Sequence, residues 1–214
     1  MIENGAEISR AEDSLRRMLS SSGIKGNAFC LNSIVVLICS DDVLVRRINK
    51  NDLNLAEIDR LNAVCRDICK EQSCHLPKNN YSAFFKIMSV FLATGAFCIY
   101  FGGGIADALV SGIIGLIILK IPKSGVGIFA YALLQSTVAG ILSYIPLFFG
   151  LAVSPDKIMI GTVMLLIPGI TMGNAVRDVM YCDTLSGVIE FTESVFTALA
   201  IAFGFSLAVI FLGG

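Results

Sequence analysis

The sequence predicts a mainly α-helical membrane protein: a polytopic bundle of about five spans behind a small α+β cytoplasmic domain. Hydrophobic residues make up 55% of the 214 residues and charged residues 15%, whereas soluble domains carry about 25% charged residues. Before residue 81 lie 11 of the 16 Lys and Arg and 11 of the 17 Asp and Glu. We therefore expect two domains, a cytoplasmic N-terminal domain at 1–80 and a five-span transmembrane domain at 81–214.

The N-terminal domain has the pattern of a small mixed fold. Apolar residues recur at helical spacing in 7–19 and in 53–69, which predicts one helix in each segment. Residues 27–40 alternate loosely and are rich in Val, Ile and Leu, so we expect strands there, and 43–48 is a further candidate strand. The polar segment 73–82 has the composition of a linker.

Five apolar segments follow, each near the length of roughly 17–25 residues that crosses a bilayer. They lie near 83–101, 105–121, 127–149, 157–176 and 188–212. The second segment is short, so we expect it to be tilted against a partner or partly re-entrant.

Basic residues in the short loops predict the orientation. Lys86, Lys120, Lys123 and Arg177 fall on the side of the N-terminal domain, and Lys157 falls on the other side. Because Lys and Arg in short loops are retained on the cytoplasmic face, we expect a multi-pass plasma-membrane protein with a cytoplasmic N-terminus.

The fourth predicted span is interrupted by Pro168 and Gly169 and then supplies Thr171 and Asn174. Proline removes a backbone donor and clashes with the preceding turn, so we expect the helix to kink or break near Gly169. A broken helix is tolerated in a membrane where its freed backbone groups line a cavity or bind a ligand. In transporters the second half-helix often points its N-terminal end at an anionic substrate group. These residues therefore predict a substrate-binding site.

Two interpretations of this region stay open on the sequence alone. The span is either a binding site or a kinked structural helix packed closely through Gly161, Gly169 and Gly173, since small residues let helices approach. Arg177 at the end of the span either binds a substrate carboxylate with its guanidinium fork or is a positive-inside anchor paired with a nearby acid.

Acidic residues in or beside the spans are candidates for proton or ion coupling. We predict this role for Asp107, Asp178 and Glu193, because a charge inside a span costs roughly 2.5–3.5 kcal/mol and needs a reason. Glu193 lies deeper than Glu190 and is the better candidate for a proton carrier or a buried partner of Arg177. The alternative is that these acids stabilise helix N-termini and satisfy free amides.

Other activities find little support in the sequence. A net charge of −1 without a clustered basic surface argues against nucleic-acid binding. Cys65, Cys69, Cys74 and His75 lack the short paired spacing of zinc modules, so we expect no metal and no cofactor. His75 is the only histidine, and no Ser-His-Asp or Cys-His arrangement can be built around it, so we do not expect an enzyme.

Motifs recur along nearly the whole chain, in residues 5–13, Phe101-Gly102-Gly103-Gly104 with Asp107, Pro168–Asp178, Ser186-Gly187 and Glu193. Those of the second half are a Pro-Gly break, an Asn-Ala-x-Arg-Asp run, a Ser-Gly and a Glu that opens the final helix. In order and in spacing these motifs resemble the pattern of the threonine/serine exporter family (ThrE/YjjP-like).

The resemblance implies a transporter half. Full-length relatives look like two unlike five-span halves, and this chain corresponds to the first half with its front domain. The implied activity is export of threonine and serine, or of a dicarboxylate such as succinate, driven by the proton-motive force. The implied partner is a separate second-half membrane protein, with a homo-oligomer as the other assembly.

By the same resemblance Glu7, Arg10 and Glu12 form the motif of the cytoplasmic domain. Two positions depart from the family pattern. Ile8 stands where the family often has Thr, which puts a direct role of that position in doubt. Glu190 stands where a basic or neutral residue is commoner, which alters the local charge and hence the substrate preference.

A second class of function stays open, a non-transporting membrane adaptor whose cytoplasmic domain binds or assembles a partner. The concentration of charge in residues 1–80 favours it. Against it, anchoring in the lipid bilayer needs one span and not five with internal breaks. The transporter interpretation requires a small-molecule substrate, and the adaptor interpretation does not.

Overall fold

The computed structural model describes residues 1–39, 42–49, 53–70, 83–122, 127–181 and 183–213. The chain divides into two compact units. The first comprises Met1–Asn80 with Gly169–Glu193, and the second comprises Tyr81–Pro168 with Ser194–Gly214. The predicted domain boundary after residue 80 stays a prediction, and the structure adds Gly169–Glu193 to the front unit. The predicted linker at 73–82, which contains Cys74 and His75, lies outside the described residues. So does Lys123.

The described residues of the N-terminal piece of the first unit form two α-helices and a three-stranded antiparallel sheet in the order β1-β2-β3. The predicted helices and strands of the front domain are confirmed, with small shifts at their ends. The elements are a 3₁₀ turn at Ile2–Asn4, α1 at Ile8–Ser21, β1 at Gly26–Cys30, β2 at Ile34–Cys39, β3 at Asp42–Arg47 and α2 at Leu55–Cys69.

Helix α1 packs on β1 through its apolar stripe. Ile8, Ala11 and Cys30 are buried in one cluster, as the helical spacing of the first two predicts. The Glu12 carboxylate accepts the backbone N–H of Cys30 at 3.2 Å. Because this bond joins a side chain of α1 to the backbone of β1, it fixes the position of the helix along the strand.

The apolar half of the chain is helical, as predicted. Three of the described helices, α3, α5 and α8, are long and apolar enough to cross a membrane, and α6 with α7 counts as a fourth if the broken pair is one span. Helix α4 is apolar but shorter, so the predicted number of five membrane spans is reached only if α4 also crosses the membrane. The helices are α3 at Ala83–Tyr100, α4 at Ile105–Leu119, α5 at Ile128–Phe148, α6 at Pro155–Leu166, α7 at Gly169–Met180 and α8 at Thr184–Leu212.

Helices of the second unit approach one another through small residues. A Cβ added to Gly161 of α6 would lie 2.5 Å from the Ser111 hydroxyl of α4 and 2.8 Å from the Thr94 carbonyl of α3. A Cβ on Gly204 of α8 would lie 2.8 Å from the Leu133 carbonyl of α5. Since real Cβ atoms are not found at such distances from backbone, glycine permits this spacing.

The break between α6 and α7 is confirmed at the predicted place. Ile167 has extended backbone angles, φ −60° and ψ 126°, because the proline ring disfavours the helical region for the residue before it. Gly161 packs closely, as the structural alternative for this span requires, whereas a Cβ on Gly169 or Gly173 would meet no atom of the described residues within 4 Å. Close packing therefore involves Gly161 and, in the described part of the chain, neither of the other two glycines.

Candidate functional site

The front segment, defined as Gly5–Ser9, hydrogen-bonds to α7. Three side-chain interactions join them, although 169 or 170 residues separate the partners in sequence. The interactions are Asn174 Nδ2 donating to the Gly5 carbonyl at 3.1 Å, the Arg177 guanidinium with Glu7, and the Ser9 hydroxyl donating to Asp178 Oδ1 at 3.5 Å. The structure thus brings together two of the stretches that carry the family resemblance.

Local backbone geometry presents both partners. Gly5 adopts a left-handed conformation, φ 84° and ψ 24°, at the end of the 3₁₀ turn, where glycine has no Cβ to clash. This turn leads the chain into α1 so that residues 5–9 run along α7. On α7, Asn174, Arg177 and Asp178 are spaced at i, i+3 and i+4 and therefore share one side of the helix.

Arg177 and Glu7 form an ion pair at the edge of this site. The Arg177 side chain is 56% exposed and the Glu7 side chain 14% exposed. The sequence favours Glu193 as the partner of Arg177, whereas the structure gives it Glu7. Because the guanidinium is more than half exposed, it can also be reached by a carboxylate from outside the chain.

Asp178 is the most deeply buried of the predicted site residues. Its side chain is 0% exposed, and its Oδ2 atom has no hydrogen-bond partner among the described residues. Ser186 is also 0% exposed, and its hydroxyl likewise lacks a partner in the described part of the chain. The carboxylate of Glu190, 6% exposed, acts electrostatically on Asp178. Asp178 and Glu190 are therefore two buried acids that interact electrostatically.

Helix α8 packs closely on α7 at its start. A Cβ on Gly187 would lie 2.8 Å from the Ala175 carbonyl and 2.9 Å from the Val179 nitrogen, so the start of α8 lies directly on the α7 backbone. Ser186 and Glu190 are one turn apart and share a face of α8. Sequence reasoning did not include Ser186 or Glu190 among the site residues. The Ser-Gly pair of the family pattern was the available signal.

The other predicted residues of this region occupy different positions. Thr171 is half-buried one turn before Asn174. Arg10 is exposed on α1, and Glu12 binds the β1 backbone, so Glu7 is the member of the front-domain motif that contacts α7. Glu193 is half-buried in α8. Its coupling role stays a prediction.

Asp107 belongs to the second unit and has two backbone donors. Its Oδ2 accepts the N–H of Gly104 at 2.8 Å, and its Oδ1 accepts the N–H of Ser154 at 2.9 Å. The first bond caps α4, and the second holds the residue before α6. These contacts favour the alternative stated above, an acid that stabilises helix N-termini. Its coupling role stays a prediction.

Two cysteines of the front domain have raised pKa values. Burial raises the pKa of Cys30 to about 11, and the negative charges of Glu12 and Asp183 raise it further, while Arg16 lowers it. Burial also raises the pKa of Cys65. Within the described ranges no group of three or more His, Cys, Asp and Glu is arranged to hold a metal ion.

Comparison with known proteins identifies one family. The ThrE family model, described as "Putative threonine/serine exporter", matches residues 1–212. No curated protein and no solved structure matches the chain.

Proposed function

Because this chain belongs to the ThrE family of threonine/serine exporters, we propose that it is the first half of a secondary transporter that exports small hydrophilic metabolites. It resides in the plasma membrane with its N-terminus in the cytoplasm. A separate membrane protein supplies the second half of the pathway, and the proton-motive force drives export. Threonine and serine are the cargo that the family indicates, and a dicarboxylate such as succinate is the alternative cargo.

The contact between Arg177 and Glu7 is the observation that carries this proposal. A helix that follows a break in an apolar span presents a guanidinium, and a carboxylate of the front segment occupies it. A guanidinium binds carboxylates through two parallel hydrogen bonds. We infer that the substrate carboxylate replaces Glu7 during transport, and that Thr171 and Asn174 add hydrogen bonds beside it.

Front-segment contacts also give the cytoplasmic domain a role in transport. While Glu7 holds Arg177, the substrate competes with the chain's own carboxylate. Release of the front segment then frees the binding position. An adaptor would need no bond between its partner-binding domain and a broken span, so these contacts support the transporter over the adaptor.

We propose that a buried acidic side chain carries the proton that is coupled to export. Asp178 and Glu193 lie in helices that carry the pathway, and Asp178 has an oxygen without a partner among the described residues. Asp107 uses both oxygens to hold backbone N–H groups, which makes it the weakest of the three candidates.

Counterflow tests the proposal directly. The full chain is reconstituted in liposomes with and without a candidate second-half protein, and exchange of labelled threonine, serine and succinate is measured. Arg177→Ala should lower the exchange about tenfold or more, because hydrogen bonds to charged groups contribute about 1.5–3 kcal/mol. If Glu193 carries the proton, Glu193→Gln should abolish net export driven by an imposed proton gradient in the same liposomes.

Matched controls separate the site from general charge effects. Arg17→Ala removes an exposed arginine paired with Asp13 at 2.8 Å on α1 and should leave exchange unchanged. Unchanged efflux in both Arg177→Ala and Glu193→Gln would remove these residues from the mechanism. No exchange of any of the three substrates would contradict the export function itself.

A further inference from the structure

Strand β3 forms an open edge of the sheet in the first unit. The strand order is β1-β2-β3, so β2 pairs with one side of β3, and within the described residues no strand pairs with its other side. The whole strand, Asp42–Arg47, is exposed. At its centre Val43, Leu44 and Val45 are 64%, 65% and 63% exposed. An exposed apolar edge strand is a template for pairing with another chain.

The hydrogen bonds between β2 and β3 show which backbone groups of β3 point to the open side. The Ile48 N–H donates to the Ser33 carbonyl at 2.8 Å, one residue beyond the end of the β2–β3 register. In an antiparallel pair, residues that exchange hydrogen bonds with the neighbouring strand alternate with residues that do not. The N–H and C=O groups of Val43, Val45 and Arg47 therefore point away from β2.

The side-chain charges make β3 complementary to a second copy of itself. Asp42 precedes Leu44 by two residues, and Arg46 follows it by two. When a second β3 runs antiparallel with Leu44 opposite Leu44, each Asp42 lies opposite an Arg46. In this register Val43 lies opposite Val45, and both present their backbone groups to the open side. Each such pair can therefore exchange two backbone hydrogen bonds.

Other pairings of two β3 strands fit less well. A parallel copy in register places Asp42 beside Asp42 and Arg46 beside Arg46, and like charges directly opposite each other are destabilising. An antiparallel copy shifted by one residue places outward backbone groups opposite inward ones, because the pattern alternates. A shift by two residues keeps backbone hydrogen bonds but loses the pairs of Asp42 with Arg46.

We propose that two copies of this chain associate through β3, antiparallel and with Leu44 opposite Leu44, so that their two sheets become one continuous sheet. The interface is two-fold symmetric, because Asp42 of each copy contacts Arg46 of the other. A second copy is the partner that carries the complementary charges in the required order. The pairing goes beyond the proposed export function, since it needs no cargo and does not involve Arg177.

Disulfide cross-linking of the full chain in liposomes tests the register. Leu44→Cys places two thiols at opposite residues that do not exchange hydrogen bonds, where the Cα atoms are about 4.5 Å apart. A disulfide needs a Cα separation of about 4.4–6.8 Å, so mild oxidation should give covalent dimers. Arg47→Cys is the matched control on the same exposed strand, because in this register its two Cα atoms are about 20 Å apart. The wild type, with 7 cysteines, gives the background.

Exchange of the charges tests whether the partner is a second copy. In chains that carry Leu44→Cys, adding Asp42→Arg turns two opposite-charge pairs into two like-charge pairs. Each cross-strand charge pair changes association about threefold, so the initial rate of cross-linking should fall about tenfold. Adding Arg46→Asp as well restores both pairs with their signs reversed and should restore the rate. A partner of different sequence would not be restored by this double exchange.

A second measurement covers the case that Leu44→Cys fails to fold. Chains with Val43→Cys and chains with Val45→Cys are reconstituted together and also separately. In the proposed register these two positions lie opposite each other, with Cα atoms about 5.5 Å apart. The mixed chains should therefore cross-link faster than either chain alone.

Each contrary outcome overturns the pairing. Cross-linking of Leu44→Cys no faster than that of Arg47→Cys, or equal rates in the mixed and separate chains, would show that the two edges do not meet in this register. A double exchange that leaves the rate low would rule out a second copy as the partner. Cross-linking of Leu44→Cys to a co-reconstituted second-half protein in place of a second copy would assign the edge to that protein. Counterflow in the same liposomes reports on export independently.

Discussion

Replacing Asp107 with alanine should strongly destabilise the second unit. The Asp107 carboxylate is 5% exposed and accepts the N–H groups of Gly104 at 2.8 Å and Ser154 at 2.9 Å. Alanine removes the acceptor of both groups, one at the start of α4 and one just before α6. Each hydrogen bond to a charged group contributes about 1.5–3 kcal/mol, so we expect the free energy of unfolding to fall by about 3–6 kcal/mol.

Equilibrium unfolding in detergent micelles measures this loss. Helix content of the purified full chain is followed by circular dichroism against denaturant concentration. The matched control is Asp156→Ala, since the Asp156 side chain is 64% exposed and its ion pair with Lys157 spans 3.7 Å. We expect the control to change the free energy of unfolding by about 0.5 kcal/mol or less.

Two results would refute the reasoning. If Asp107→Ala were as stable as Asp156→Ala, the two N–H groups would have other acceptors and the capping role would be wrong. If Asp107→Ala kept its stability and lost only counterflow, Asp107 would act in coupling, as the sequence also allows.

Two further predictions concern packing and thiol reactivity. Gly187→Ala should lower the free energy of unfolding by about 1–3 kcal/mol, because the added Cβ would lie 2.8 and 2.9 Å from the α7 backbone. Gly173→Ala, whose Cβ would meet no atom of the described residues within 4 Å, should be neutral or stabilising by about 0.5–1 kcal/mol. Thermal melting of both variants tests this, and equal melting temperatures would contradict it. Because the pKa of Cys30 is about 11, roughly one thiol in a thousand is thiolate at pH 8. Maleimide labelling of Cys30, read by mass spectrometry, should be slow at pH 8 and rise as the pH approaches 11. Rapid labelling of the native chain at pH 8 would show that Cys30 is not buried.

Local patterns were sufficient to predict most of the elements. Helical spacing in 7–19 gives α1, and alternating Val, Ile and Leu after residue 26 gives the sheet. Pro168 ends α6 through its missing N–H and its effect on Ile167, both of which are local constraints. The sequence also marks the second predicted span, 105–121, as short, and the helix there, Ile105–Leu119, is indeed shorter than the three helices that are long enough to cross a membrane.

Partners across long sequence separations could not be predicted. Periodicity shows which face of a helix is buried and does not show what covers it. The bond of Asn174 to the Gly5 carbonyl joins residues 169 apart, and the bond of Asp107 to Ser154 joins residues 47 apart. Ser186 is a neutral residue next to a glycine, so its complete burial has no local signal. The resemblance supplied both partner stretches without stating that they meet.

The first unit is discontinuous in sequence, and this limits how the chain can be dissected genetically. Its two pieces, Met1–Asn80 and Gly169–Glu193, fold against each other across an intervening set of helices. A truncation of the front residues would therefore remove the partners of Asn174 and Arg177 as well as any regulatory function. If such a truncation lost export, either the missing contacts to Asn174 and Arg177 or a missing regulatory function would explain the loss equally well. Point substitutions at the bonded pairs are the informative experiment, because a unit of folding in this protein is not an interval of its gene.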